Sequence, residues 1–241
     1  RSLPSIQASQ IQSILIDAGP GDNLVDLSNV NSGDFSFVNP LDGSRVRIEV
    51  DGGDGQDTIL GSFSFDDILI GGDGDDEINN GGVINLGNQT IDGGDGNDTI
   101  RGGSGNDSIT GRDGADLLFG GGGDDTITGG DNNDRIDGQA GSDQINGNQG
   151  EDTLSGGDGD DTLSAGAGED TVSGGDGADL INGNDGDDLI TGGFGDNTLF
   201  GDSGNDSLTG GANDDLIGGG VGDDVLFGNQ GNDTLNGEDG A

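Results

Sequence analysis

From Gly93 to Asn236 the chain repeats every nine residues, through sixteen consecutive units without an insertion or a deletion. The sixth place of each unit is Asp98, Asp107, Asp116, Asp125, Asp134, Asp143, Asp152, Asp161, Asp170, Asp179, Asp188, Asn197, Asp206, Asp215, Asp224 or Asp233, so a single Asn interrupts a row of Asp. The eighth place is always aliphatic, from Ile100 and Ile109 to Leu226 and Leu235. A bias toward Gly and Asp cannot hold two residue classes in phase for 144 residues. The chain is therefore a repeat architecture, stabilised by contacts between neighbours along one axis. Its length of 241 residues then says little about domain number.

Without that period the composition would read as a disordered chain. Forty-nine acids against six Arg and no Lys give a formal net charge of -43, with 57 Gly and 27% hydrophobic residues. Such a chain repels itself and has little apolar surface to offset the entropy of ordering its glycines. The aliphatic place supplies a thin core, and the regular Asp points to cations as the missing stabilisation. The expectation is disorder without metal and order with it.

Composition also narrows the chemistry. There is no Cys and no His, so disulfides and the usual ligands of zinc, copper and haem are lacking. A hard cation that takes carboxylate and carbonyl oxygens keeps its full ligand set. The negative charge repels nucleic acid, and no apolar run approaches the roughly 20 residues of a membrane helix. The N-terminal RSLPSIQASQ has neither an initiator Met nor a signal-peptide apolar region. A seventeenth unit starts at Gly237 and stops at Ala241. Together these lead to the expectation of an excised segment with an artificial or proteolytic C-terminal boundary.

Within a unit, the last three places predict a short strand whose middle side chain points inward and whose neighbours point outward. The first six predict a turn, with Gly at places one, two and four supplying positive φ and close carbonyl approach. Asn132 and Asn213 replace the fourth-place Gly, and Asn is the next most tolerant residue of that conformation. Two units make a coil of 18 residues, and coils stack at about 4.8 Å. Asp residues 18 apart, such as Asp98 and Asp116 or Asp107 and Asp125, then meet between turns. Their carboxylates with turn carbonyls give the six or more oxygens that calcium takes.

Upstream the rhythm loosens. Ala18 to Asp26 fits a degenerate unit with Asn23 in the Asp place and Val25 in the core place, preceded by Ile16 as a core residue. Leu27 to about Asp42 leaves the pattern and reads as a strand excursion with turns at Asn39-Pro40 and Asp42-Gly43. Arg45 to Val50 resumes as a strand. Further units carry Asp57, Asp67 and Asp76, and four extra residues, Asn80 to Val83, precede a degenerate unit with core residue Ile91. The organisation expected is irregular capping strands continuous with the roll over 1–51, imperfect repeats over 52–92 and regular repeats over 93–241.

Units such as GGDGNDTIR and GGSGNDSIT resemble the RTX (repeats-in-toxin) nonapeptide family, the haemolysin-type calcium-binding repeat, over most of the chain. The resemblance implies an all-β fold: a right-handed parallel β-roll, a β-solenoid of stacked 18-residue coils with calcium in rows along both edges. The implied ligands are the sixth-place Asp residues from Asp98 to Asp233, together with Asp57, Asp67, Asp76 and neighbouring Gly carbonyls. Sites sharing Asn197 are expected to bind more weakly. Acids at the third and fifth places, such as Asp95, Asp158, Asp124 and Glu169, are expected to be solvated rather than direct ligands. The resemblance also implies bacterial type I export, with the chain unfolded in the calcium-poor cytosol and folded outside.

Outward places seven and nine carry Thr, Ser and Asn most often, consistent with β-propensity on a wet sheet; an ice-binding hydroxyl array is the sharper alternative. Outward apolar residues concentrate toward the C-terminus, among them Leu216, Val225 and Phe227, and mark a surface for self-association or for packing on a further segment. With no His, Cys, Lys or Tyr, no ordinary nucleophile and base pair exists, and the segment is read as non-enzymatic. The functional expectation is a secreted structural β-roll at the bacterial surface, in an adhesin, surface layer or filament. The alternative is a calcium-dependent folding and secretion module of a larger enzyme or toxin.

Overall fold

The computed structural model describes residues 13–27, 47–62, 66–79 and 87–239. Every regular element in them is a strand, from β1 (Ser13–Asp17), β2 (Leu24–Asp26) and β3 (Arg47–Asp54) to β22 (Val225–Gln230) and β23 (Thr234–Asn236). Odd-numbered strands form one 12-stranded sheet and even-numbered strands an 11-stranded sheet. All pairings between named strands are parallel, and each strand pairs with the second one along in sequence. The chain thus winds as a β-solenoid with two strands in every coil. No helix among the described residues is long and apolar enough to cross a membrane.

Equivalent residues of successive regular coils are 18 apart. Earlier coils are spaced by 34 between Asn23 and Asp57, 19 between Asp57 and Asp76, and 22 between Asp76 and Asp98. The last two intervals contain the extra Gly61 and the four extra residues 80–83. The first contains the excursion expected from Leu27 to Asp42, which apart from Leu27 lies outside the described residues. The strand expected over Arg45 to Val50 is seen as β3, and Ile16 and Val25 pack, partly buried, against the core.

Strands of the regular region are longer than the three places expected. Strand β10 (Leu117–Gly122) and its partner β12 (Arg135–Ala140) each run six residues, through places seven to nine and on through places one to three of the next unit. Their ladder pairs Phe119 with Asp137 and then Gly121 with Gln139, so the first-place Gly contributes no partner and marks the bend. The physical reason is that a positive φ at place two turns the chain without ending its hydrogen bonding. The turn proper is left with places four to six.

Inward side chains form one column. The eighth-place residues from Ile100 to Ile217 are all at most 3% exposed, while Leu226 is only partly buried and Leu235 is 44% exposed. This follows from strand alternation, which sends every eighth-place side chain between the two sheets and its neighbours out to solvent. First-place residues share the interior, and Ala165, the one Ala among them, is fully buried.

Because each aliphatic residue packs only on its own coil and the coils above and below, mid-stack truncation has no alternative packing to relax into. Leu163→Ala is expected to destabilise the metal-loaded roll by about 2 to 5 kcal/mol, and the same change at Leu235 by much less. Denaturant unfolding in saturating calcium checks both.

Candidate metal centre

The sixth-place Asp residues line up as two ladders, one beside each sheet. In the ladder leading into the even-numbered strands, each backbone N–H donates to the carboxylate of the next coil, from Asn23 to Asp57, Asp57 to Asp76, Asp76 to Asp98, and onward to Asp224. In the other, Asp67 donates to Gln89, Gln89 to Asp107, and the series continues through Asn197 and Asp215 to Asp233. Bonds such as Asp134 to Asp152 at 2.7 Å and Asp179 to Asn197 at 3.0 Å use Oδ1 only.

The second carboxylate oxygen is the anomaly. Oδ2 of Asp57, Asp76, Asp98, Asp107, Asp116, Asp125, Asp134, Asp143, Asp152, Asp161, Asp170, Asp179, Asp188, Asp206, Asp215 and Asp224 is buried without a hydrogen-bond partner. A buried ionised oxygen without a partner is costly enough that it is kept only where something else satisfies it. Asp233, in the last turn, is half-buried, and its Oδ1 accepts from Asp215 N at 3.0 Å. Asp67 differs in kind: its Oδ2 accepts from both the N–H and the hydroxyl of Ser62 at 2.8 Å, and its Oδ1 is the oxygen left over.

What surrounds that oxygen is visible where an amide replaces it. The Asn23 side-chain nitrogen donates to the carbonyls of Gly19 at 2.8 Å and Gly21, and lies 3.4 Å from that of Gly52 in the next coil. At Asn197 the nitrogen donates to the Gly195 carbonyl at 3.2 Å. The turn therefore aims second-place and fourth-place carbonyls of its own coil, and the first-place carbonyl of the next, at the sixth-place side chain. With Asp there, every group in this cage is an acceptor.

Glycine is needed here for two different reasons. Second and fourth places hold positive φ, as at Gly94 (110°) and Gly96 (136°). Where a side chain occurs instead the angle contracts, to 79° at Asn132, 80° at Asn213 and 70° at Asp202, toward the left-handed well that L residues reach. First-place Gly does not have positive φ, contrary to expectation. A Cβ at Gly93 would collide with Asp98 Oδ2 and stand 2.9 Å from the Gly111 carbonyl, so this Gly keeps the cage open.

The fifth place has a role that the sequence reading missed. Asn97 Oδ1 accepts from Ala115 N at 2.8 Å, Asp124 from Ser142 N at 3.0 Å, and Asp160 from Ala178 N at 2.8 Å, each reaching up one coil while the sixth-place carboxylates reach down. Glu151 and Glu169, a methylene longer, make no such bond. The signal was present but diluted: Asn and Asp share most fifth places, which favours a short side-chain oxygen, although Ala115, Ser142, Glu151, Glu169 and Ala178 also occur there, whereas place six is Asp in all units but one, which asks for a charge.

Burial raises the carboxylates well above the usual range, Asp98, Asp125, Asp134, Asp161 and Asp188 to about 7 and Asp76, Asp116 and Asp152 to about 6. Desolvation is the main cause; the backbone bond to Oδ1 opposes it, and at most of these sites neighbouring carboxylates add to it. Little protein charge answers them: the one ion pair among the described residues joins Arg112 to the exposed side of the roll at Asp92. No three carboxylate, His or Cys side chains converge among the described residues. The donor set is thus one carboxylate among carbonyls, all hard oxygens, which fits calcium and gives soft metals nothing to bind.

Fold and cages together define a parallel β-solenoid with oxygen-lined turns stacked along both sides. The RTX calcium-binding nonapeptide repeat matches the chain in overlapping segments from 83–118 to 218–241, and the chain belongs to that family. Its repeats bind calcium at multiple sites, so calcium is the cofactor. No individual curated protein matches the chain. The units holding Asp57 and Asp76 precede the matched segments yet have the same orphaned Oδ2.

The raised carboxylates fix the sign of a pH effect. Folded values near 6 to 7 against 3.8 unfolded mean that the metal-free roll binds more protons than the unfolded chain between those values. The stability these groups contribute is fully present below the unfolded value and is lost as pH rises through 6 to 7. In chelator, far-UV circular dichroism melts are expected to show more ordered roll at pH 5 than at pH 8, with calcium reversing that order.

Proposed function

We propose that the sixth-place carboxylates hold the calcium ions through Oδ2, that the chain orders as the ions bind, and that the ordered roll serves as an extracellular structural element at the bacterial surface. The observation that carries this reading is the orphaned Oδ2 repeated in turn after turn and facing only other acceptors. A cation in each turn satisfies the carboxylate oxygen and the surrounding carbonyls at once. Magnesium suits the site poorly, since it keeps its waters and demands a small octahedron, whereas calcium accepts a large carbonyl-rich set.

A spacer or scaffold role agrees with the long uninterrupted stack and with outward faces rich in Thr and Ser. The chain also lacks the His, Cys, Lys and Tyr that ordinary catalysis draws on. Exposed apolar side chains in the last coils, Leu216 at 43%, Val225 at 48% and Phe227 at 52%, favour contact with a further segment or a second copy. The exposure of these side chains also favours a second reading, a folding and secretion module of a larger protein. Folding on export follows from mass action: calcium bound only by the ordered chain stabilises it in proportion to the logarithm of its concentration.

A calcium titration followed by far-UV circular dichroism, with magnesium as control, tests the central claim. A cooperative gain of β signal with calcium and none with magnesium is expected. A chain fully β-structured in chelator at neutral pH would sink metal-coupled folding. Sedimentation at millimolar calcium then separates the two roles, self-association supporting the scaffold.

A further inference from the structure

The two edges of the roll are not equivalent. Beside the even-numbered strands, every sixth-place residue from Asp57 to Asp224 is Asp with an orphaned Oδ2. Beside the odd-numbered strands, that series is broken at three coils. Asp67 has its Oδ2 satisfied by Ser62, Gln89 stands in the next turn, and Asn197 stands between Asp179 and Asp215.

Asn197 is the informative break, because it lies within the regular repeats and leaves the backbone unchanged. Its Oδ1 accepts from Asp179 N at 3.0 Å and its own N–H donates to Asp215 at 2.9 Å, so the ladder passes through it intact. Only the other side-chain atom differs. Nδ2 donates to the Gly195 carbonyl and occupies the place held elsewhere by an orphaned oxygen, 2.7 Å from where a Cβ of Gly192 would lie. Asn23 repeats the arrangement independently, its nitrogen satisfying two carbonyls of its own turn.

We infer that the Asn197 turn is closed by its own amide and takes no calcium, so that the row beside the 12-stranded sheet is split into a run from Asp107 to Asp179 and a separate pair, Asp215 and Asp233. An amide N–H donor inside a ring of carbonyls does locally what a cation does, ending the acceptor-only repulsion, and its hydrogens exclude a positive ion from the same space. The site is thus absent rather than weakened, which sharpens the expectation drawn from the sequence. The opposite edge has no such gap, and its row is continuous.

This inference rests on the reading that Oδ2 holds the ions, and the test separates the two. Bound calcium is counted by equilibrium dialysis with elemental analysis in the wild-type chain, Asn197→Asp and Asp161→Asn, each first shown by circular dichroism to be folded in calcium. Asn197→Asp is expected to bind one more ion than wild type, and Asp161→Asn, which recreates the amide turn on the same edge, one fewer. A wild-type chain that binds calcium while Asn197→Asp gains none overturns the inference alone. A wild-type chain that binds none overturns it together with the function proposed above. Should Asn197→Asp not fold, an unchanged count in Asp161→Asn overturns the inference by itself, and a loss of one ion there supports it.

Discussion

A buried carboxylate with one satisfied oxygen and one orphan is the constraint on which the rest of this molecule depends. Oδ1 ties each turn to the one below it; Oδ2 faces carbonyls and has no protein donor. Repeated along two edges, the arrangement buries a series of carboxylate oxygens that face only acceptors beside a thin aliphatic column. Each core side chain contributes about 1.5 to 3 kcal/mol on burial, while each coil must order 18 residues rich in Gly, the residue that loses most freedom. On the function proposed above, the partner that these oxygens lack within the protein is supplied from outside as calcium.

The turns divide their work among places that look alike in sequence. First-place Gly leaves room for the Asp side chain, second-place and fourth-place Gly set the backbone angle, and the fifth-place Asx ties the turn from the opposite direction. Where place five is Asn97, Asp124 or Asp160, the turn is thus tied by two side-chain bonds that run in opposite senses. Substitutions are absorbed unequally. A side chain at place two is taken up by a change in φ, whereas a Cβ at a first-place Gly such as Gly93 would meet the Asp98 carboxylate and the next coil's carbonyl.

Much of this was legible in the sequence because the chain is nearly one-dimensional. A period of nine with an aliphatic residue at place eight fixes strand, inward face and stacking at once, and Val25 and Ile16 could be placed by phase alone. The row of Asp gave the candidate ligands, and the departures at Asn23 and Asn197 were visible as letters. Their meaning was not, since only coordinates show that the amide nitrogen fills the cage instead of merely removing a charge. Strand length was misjudged because positive φ at place two suggested a turn, while the ladder continues past it. Ser62 satisfying Asp67 was likewise hidden: the two are five residues apart, and nothing in the spelling marks the hydroxyl as a substitute for a cation.

Successive turns fall on alternate edges, and this gives the repeat two different units of length. Nine residues is the unit of sequence, but 18 is the unit of structure. Loss or gain of an 18-residue coil leaves every downstream residue on the sheet and edge it already occupied. Loss or gain of nine keeps the stack unbroken and yet exchanges the two sheets from that point on, carrying Thr-rich faces, exposed Leu and Phe side chains and the Asn197 gap across to the opposite side. Two rolls that differ by a single nine-residue unit can therefore present their downstream faces on opposite sides, and the parity of the repeat number becomes a heritable property of the surface.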